Sequence, residues 1–445
     1  MKNSIEKNFN TFSLLKFALP SMIMMVFMSL YTIIDGIFIS RFVGDDGLSA
    51  TNIVYPAISL LLAVGIMLAT GGCAVVARQL GEGKIKTARE NFTFIVFAGV
   101  LFAMFSLILG NLWITPLVRL MGATDQILYH CKVYLSILLY FAPACVLQIL
   151  FQTFFVADGQ PALGLFVTIA GGIANAVLDY TFMGILDLGI AGAALATGIG
   201  QSIPALIGLL YFFFHRKNLY FTFFHPNFST LWESCLNGSS EMVTNMATAV
   251  VTYLFNVIML RLLGEEGVAA IAIVLYAQFL FNALFMGYSM GVAPVISFNY
   301  GKQNYTRLLK IYRICIGFTL TASMMITGIA YITSNFVIAV FTPPETHTFQ
   351  LASRGFLLFS LSFLFAGINI FASSMFTALS DGKTSAIISF LRTFAFLAGS
   401  ILILPEIIGV DGVWLAVPLA ELLTNLIVIA IFYKFRFRTK QKILS

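Results

Sequence analysis

The chain has 445 residues, 59% of them hydrophobic and only 10% charged, with a formal net charge of +6. A soluble domain carries about 25% charged residues, so this composition excludes an ordinary globular enzyme. The positive balance sits in the polar segments between apolar runs and requires no nucleic-acid partner.

Apolar runs of more than about 18 residues, each long enough to be a membrane span, recur along the whole chain. Twelve spans are predicted, at 14–39, 51–77, 91–114, 132–157, 161–183, 190–214, 238–261, 270–297, 311–334, 354–378, 384–404 and 412–433. The short alternating segments of a membrane β-barrel are absent from the sequence. Asp35 interrupts the first span and no small-residue cleavage site follows it, so it does not read as a signal peptide. After the sixth span comes the polar stretch HRKNLYFTFFHPNFSTLWESCLNG (215–238). The expected organisation is therefore an amino lobe at 1–214, a linker at 215–237 and a carboxy lobe at 238–445. The chain closes on the basic tail YKFRFRTKQK, expected to meet anionic headgroups of the lipid bilayer. The expected fold class is an all-α polytopic membrane protein of twelve transmembrane helices in two pseudo-symmetric six-helix lobes.

Lysine and arginine orient the spans. With both termini in the cytoplasm, 19 of these residues fall in cytoplasmic segments and 5 on the opposite side, with Arg392 inside a span. The positive-inside rule then predicts a multi-pass protein of the plasma or inner cell membrane with both termini cytoplasmic. Cys73, Cys131, Cys145, Cys235 and Cys315 have no paired or metal-like spacing and read as small packing residues. His130, His215, His225 and His347 fall at loops or span ends. No metal centre and no cofactor are expected.

The chain contains a repeat. RFVGDDGLSATNIVYPAISLLLAVGIMLATGGCAVVARQLG (41–81) aligns without a gap on RLLGEEGVAAIAIVLYAQFLFNALFMGYSMGVAPVISFNYG (261–301), at an offset of 220 and with 12 identities in 41 positions. Shared apolar composition would give about four. LGIAGAALA (188–196) faces IGVDGVWLA (408–416) at the same offset. Six spans is an even number, so both halves enter the membrane the same way. Parallel repeats of this kind are typical of transporters that bind substrate between halves and alternate access by rocking.

Asp35, Asp179, Glu241 and Glu421 lie inside predicted spans, with Arg392 as the one basic residue among them. A charge at the bilayer centre costs about 2.5–3.5 kcal/mol on insertion scales, so each invites a functional reading. An acid near a span end, as Asp35, Asp179 and Glu241 are, can instead reach the headgroups. The repeat tests these readings. Opposite Asp35 stands Phe255; opposite Asp179 and Asn175, allowing for three residues of loop difference, stand Leu402 and Ala398. The scaffold position does not require an acid, which favours function for Asp35 and Asp179. Glu241, Arg392 and Glu421 face Ser21, Ile169 and Gln201; an Arg392–acid pair of structural purpose is the alternative there. Desolvation favours the neutral form of a carboxylic acid, so a buried acid can load a proton on one side and release it on the other. Sodium is the competing ligand, held by Asp35, Asp179 and Asn175 with backbone carbonyls.

The pattern NAVLDYTFMG (175–184) followed by GIAGAALAT (189–197) resembles the fifth and sixth spans of multidrug and toxic compound extrusion (MATE) transporters. So do ALP (18–20) leading to IIDGIFISRFVG with Asp35, the ARQLGEGK loop (77–84) and the duplicated twelve-span layout. The resemblance covers almost the whole chain and is strongest to the DinF and MepA-like branch. It implies two lobes in a V, with export driven by inward flow of H⁺ or Na⁺. It further implies an amino-lobe ion network of Asp35, Asn175, Asp179, Thr197 and a fourth-span tyrosine, matched by Tyr134 with Tyr140 as the alternative. The NorM branch carries acids in spans 7 and 10 where this chain has Ala249 and Asn369, which argues against a carboxy-lobe ion site of that type. Glu241 lies about two turns before Ala249, so no role carries over to it.

A cavity between the lobes is expected to take small-molecule organic cations and drugs. Met25 and Met28 suit adaptable binding, and Glu241, Arg392 and Asn369 are the polar candidates. The expected function is a secondary active multidrug efflux antiporter, acting as a monomer. A flippase of lipid-linked precursors is the alternative, but it is expected to need a basic cavity, and the spans hold four acids and one arginine. A membrane enzyme would need convergent His, Cys or Ser–base groups at depth, and the pattern has none. DGKTS (381–385) resembles a phosphate loop, yet position 377 is Thr where that motif needs Gly, so an ATP-driven pump is excluded.

Overall fold

The computed structural model describes residues 4–444 and contains no strand among them. Ten helices are long and apolar enough to cross a membrane, and the bent pair Leu128–Tyr140 and Ala142–Ala157 makes an eleventh span. The helix Phe228–Gly301 is in fact two, because Gly264 has a non-helical backbone inside it. The twelve expected spans are therefore present among the described residues. Spans 1 to 3 are Thr11–Phe42, Asp45–Gly81 and Ile85–Leu112, span 4 is the bent pair, and spans 5 and 6 are Pro161–Ile185 and Gly189–Phe214. Spans 7 and 8 are 228–263 and 265–301; span 9 is Tyr305–Ala339, span 10 His347–Ala378, span 11 Gly382–Ile408 and span 12 Val410–Leu444.

The duplication is written in the backbone. Gly44 and Gly264, 220 residues apart, both take positive φ with ψ near extended (φ 84, ψ −168; φ 67, ψ −155). Only glycine occupies that region freely, so both tight connections between the first two spans of a lobe require it. Positive φ recurs in further pairs at the same spacing or one residue more: Gly83 and Gln303, Gly159 and Ser380, Gly189 and Gly409. Span 4 bends by 53° at Phe141. Pro143 stands at the start of its second segment and cannot donate back into the first. The related position of span 10 has a short 3₁₀ turn, Ser360–Ser362, so both lobes break this span.

Two regions differ from the hydropathy reading. Span 7 begins at Phe228, ten residues before its apolar run, with Asn227 capping Thr230 through its side chain. Residues 228–237 thus form a helical extension rather than linker. The basic tail likewise continues span 12 as helix to Leu444, where Lys442 lies over the Tyr305 ring at 5.0 Å.

The remaining linker is fastened to the amino lobe. Asp158, at the end of span 4, accepts from the Leu219 backbone N–H at 2.9 Å and from the Tyr211 hydroxyl at 2.6 Å. Arg89 donates to the carbonyls of Asn218 and Lys217 and to the Tyr220 hydroxyl. Phe221 stacks on Phe92. Burial pushes the Asp158 carboxyl above its ordinary range, against the Tyr211 and Leu219 bonds that favour its charged form.

The lobes meet along a seam near the face that carries both termini. Spans 2 and 8 cross at Gly81 and Gly301: a methyl on Gly81 would overlap the Phe298 carbonyl, and one on Gly301 the Arg78 carbonyl. Gly71 presses on Ser234 and Gly238, and Gly291 on Ala18, a matched pair of crossings between spans 2 and 7 and between spans 8 and 1. Where the hydrophobic effect between helices is weak, small residues let backbones approach closely enough for dispersion to hold them. Arg78 closes the seam with a two-pronged ion pair to Glu233, at 2.6 and 3.1 Å. A strap at Ser4–Glu6 adds to it: Ile5 and Phe9 are buried, and Glu6 pairs with Lys302 of the other lobe at 2.8 Å.

Candidate functional site

Span 1 carries Tyr31 and Asp35 one turn apart, which puts both on one helix face. Span 5 carries Asn175 and Asp179 in the same relation, and just beyond Asp179 its helix widens into a π turn, Tyr180–Ile185. π turns cluster at functional sites because the extra residue re-aims side chains and frees a carbonyl. Spans 5 and 6 pack through small residues, with Gly200 against the Asn175 Cβ and the Gly171 carbonyl. Their antiparallel course then sets Thr197 level with Asp179.

These residues converge inside the amino lobe. The carboxyl groups of Asp35 and Asp179 lie close to each other, and the Asn175 amide lies close to Asp179. Tyr134, buried in span 4, lies within electrostatic range of both acids, and Tyr31 within range of Asp35. Asp179 is 0% exposed. Neither of its oxygens has a hydrogen-bond donor, nor has Asp35 Oδ1, and the Thr197 hydroxyl is also without a partner. No lysine, arginine or histidine forms an ion pair with either acid among the described residues. A desolvated carboxylate with no partner is costly. Two in contact cannot both stay charged without a cation between them. The cluster is an acceptor set for a proton or a small cation, and its oxygen donors also fit sodium.

Of the five predicted ion residues, Asp35, Asn175, Asp179 and Tyr134 come close together and Tyr31 joins them, while the Thr197 hydroxyl makes no bond to them. Sequence reasoning passed over Tyr31, although its i, i+4 spacing from Asp35 was visible.

The second group of candidates separates into two places. Met25 and Met28 are half-buried on span 1, with Met28 on the face of Asp35 two turns away. In the carboxy lobe, Arg392 forms an ion pair with Glu421 at 2.7 Å. Asn369 is fully buried behind that pair, donating to Glu421 Oε2 at 2.6 Å, and reaches no cavity surface. Glu241, half-buried on span 7, lies within electrostatic reach of Arg392, and among the described residues no hydrogen bond or ion pair closes on its carboxylate. Tyr55 of span 2 and Tyr276 of span 8, each about half exposed, are close enough to interact across the lobes.

The model of the family described as MatE matches residues 20–181 and 241–399. A multidrug export protein, MepA, of Staphylococcus saprophyticus is 22% identical over 436 residues, covering 96% of this chain and 94% of the relative. MepA of Staphylococcus aureus strain N315 matches with the same identity and coverage. Among solved structures, an outward-facing multidrug resistance MATE family transporter of the MOP superfamily superposes with a TM-score of 0.91 at 20% identity, covering 100% of this chain and 98% of the other. A MOP superfamily transporter from Pyrococcus furiosus, described as having reversed polarity of its binding pocket, gives 0.91 at 20% identity over 99% of each chain.

Proposed function

Because this chain belongs to the MatE family, we propose that it is a secondary active exporter of lipophilic organic cations, driven by inward flow of protons or sodium through the amino lobe. The observation that carries this reading is the Asp35–Asp179 pair, with Asp179 fully buried, Asp35 half-buried and no positively charged partner for either among the described residues. Asn175, Thr197 and Tyr134 complete the ion network. The names of the MepA relatives support a multidrug substrate range. On the reading that both termini are cytoplasmic, the glycine seam closes the inner side, which supports an outward-facing conformation. Ion binding there favours return of the lobes to the inward-facing state. Drugs enter between the lobes against Met25, Met28, Tyr55 and Tyr276, with Glu241 and Arg392 as polar contacts. The protein works as a monomer in the cell membrane.

The test is export of a fluorescent organic cation from proteoliposomes under a pH gradient and, separately, a sodium gradient. One gradient should drive export, and Asp35→Asn or Asp179→Asn should abolish that drive. If neither gradient moves the dye and neither substitution matters, the reading fails; response to lipid-linked substrates instead would identify a flippase.

A further inference from the structure

The carboxy lobe also buries a carboxylate, and it is neutralised from within. Glu421 is 3% exposed. Arg392 Nε donates to Glu421 Oε1 at 2.8 Å, with Nη2 2.7 Å from the same oxygen. Asn369 Nδ2 donates to Oε2 at 2.6 Å and to the Glu421 main-chain carbonyl at 2.8 Å. Both carboxylate oxygens are satisfied, the reverse of Asp179, where neither is. Arg392 reaches this position from a π turn in span 11, Leu391–Ala398. The π turn of span 5 follows its acid instead, and the repeat partners of Arg392 and Glu421 are Ile169 and Gln201. The two lobes share a scaffold but treat a buried acid in opposite ways.

We propose that Arg392 is a tethered counter-ion: it does for Glu421 what a mobile cation does for Asp35 and Asp179, and so confines ion coupling to the amino lobe. The inference rests on the coupling role of the amino-lobe acids. A guanidinium stays protonated at any physiological pH, and here it is covalently part of the lobe, so it cannot be exchanged across the membrane. The charged groups of this cluster are Glu421 on span 12 and Glu241 on span 7. Glu421 holds the guanidinium by direct hydrogen bonds and Glu241 only senses it through space. Arg392 is thus a specificity-determining residue for the ion. Without it, Glu421 is left buried with Asn369 as its donor, and a group in that position neutralises by taking up a proton or a cation.

The experiment is pH-difference infrared spectroscopy of the purified full chain, reading the carbonyl band of protonated carboxyl groups. In the wild type, Glu421→Gln should leave the spectrum unchanged. Arg392→Gln should add a band that Arg392→Gln/Glu421→Gln loses, while Arg392→Lys, which keeps the tethered charge, should match the wild type. Loss of the new band on adding sodium would show that sodium replaces the proton. A wild-type band that depends on Glu421, or no Glu421-dependent band in Arg392→Gln, overturns the proposal. Asp35→Asn/Asp179→Asn, recorded alongside, reports on the amino-lobe reading separately. If that variant loses no band in sodium-free buffer, the coupling reading fails whatever Arg392 does.

Discussion

Asp35 and Asp179 bring their carboxyl groups close to each other from spans 1 and 5, and among the described residues no basic side chain pairs with either. Two negative charges at that distance in a desolvated lobe are untenable without a cation. Replacing either acid by asparagine removes the need for one. Gradient-driven export should then fall by about tenfold or more, since coupling free energies between sites are of order 1–3 kcal/mol. Binding of the organic cation should survive, as followed by fluorescence titration. Transport at wild-type rates in both variants would reject the pair as the coupling element.

The glycine seam predicts a conformational bias. A methyl group at Gly81 or Gly301 meets backbone carbonyls of the opposite lobe, which cannot rotate away. Gly81→Ala and Gly301→Ala should each disfavour the closed seam. The expected readout is faster thiol labelling of a cysteine introduced at Met67 on span 2. An Ala variant labelled no faster than the parent would mean that the lobes already sit apart there.

The Arg78–Glu233 pair makes a weaker prediction. Both side chains are partly exposed (19% and 36%), and such pairs contribute about 0–1 kcal/mol. Arg78→Glu or Glu233→Arg should therefore raise labelling at the seam only a few-fold, and the exchanged double variant should restore much of the closure. Failure of the double variant to recover would show that the pair acts through its neighbour Glu82, 3.4 Å from Arg78.

Asp158 gives a pH dependence. Its carboxyl is held above the ordinary range by burial, so the folded protein favours the protonated form. The stability this contributes is fully present below the ordinary carboxylate range and is lost as pH rises through the raised value. Asp158→Asn has no such titration and keeps acceptor and donor for Leu219 and Tyr211. The wild type should thus gain on the Asn variant, in thermal unfolding, as pH falls from neutral into the acid range. Asp158→Ala should lose about 1–3 kcal/mol throughout, because the buried Leu219 N–H is left unpaired. A constant gap between the wild type and Asp158→Asn would refute the titration.

The spans and the duplication were legible because both are local statements: runs of apolar residues, and glycines where the backbone needs positive φ. Gly44 and Gly264 show this, each standing at a connection no other residue makes easily. Residues 228–237 were not legible, because hydropathy scores Ser234 and Asn237 as loop, whereas both side chains are buried by packing around span 7. Asn237 Oδ1 accepts from the Gly382 N–H, and Ser234 bonds its own helix. Asp35, Asn175 and Asp179 could be nominated from sequence because their repeat partners are apolar. That Glu421, rather than Glu241, claims Arg392 could not, since it depends on how the π turn of span 11 aims the side chain.

The fastening of 215–222 to the amino lobe leaves little free chain between the two halves. Phe224 also packs on Phe94 and Phe97 of span 3, so the free covalent link is residues 225–227, which even fully extended reach about 10 Å. A leash this short forbids the lobes from parting at that corner and turns any attempt to separate them into a swing. The corner is a fulcrum, and the far side of the seam must travel furthest. Lengthening the leash with glycine and serine would therefore loosen the geometry of the stroke without touching a single ion or drug contact.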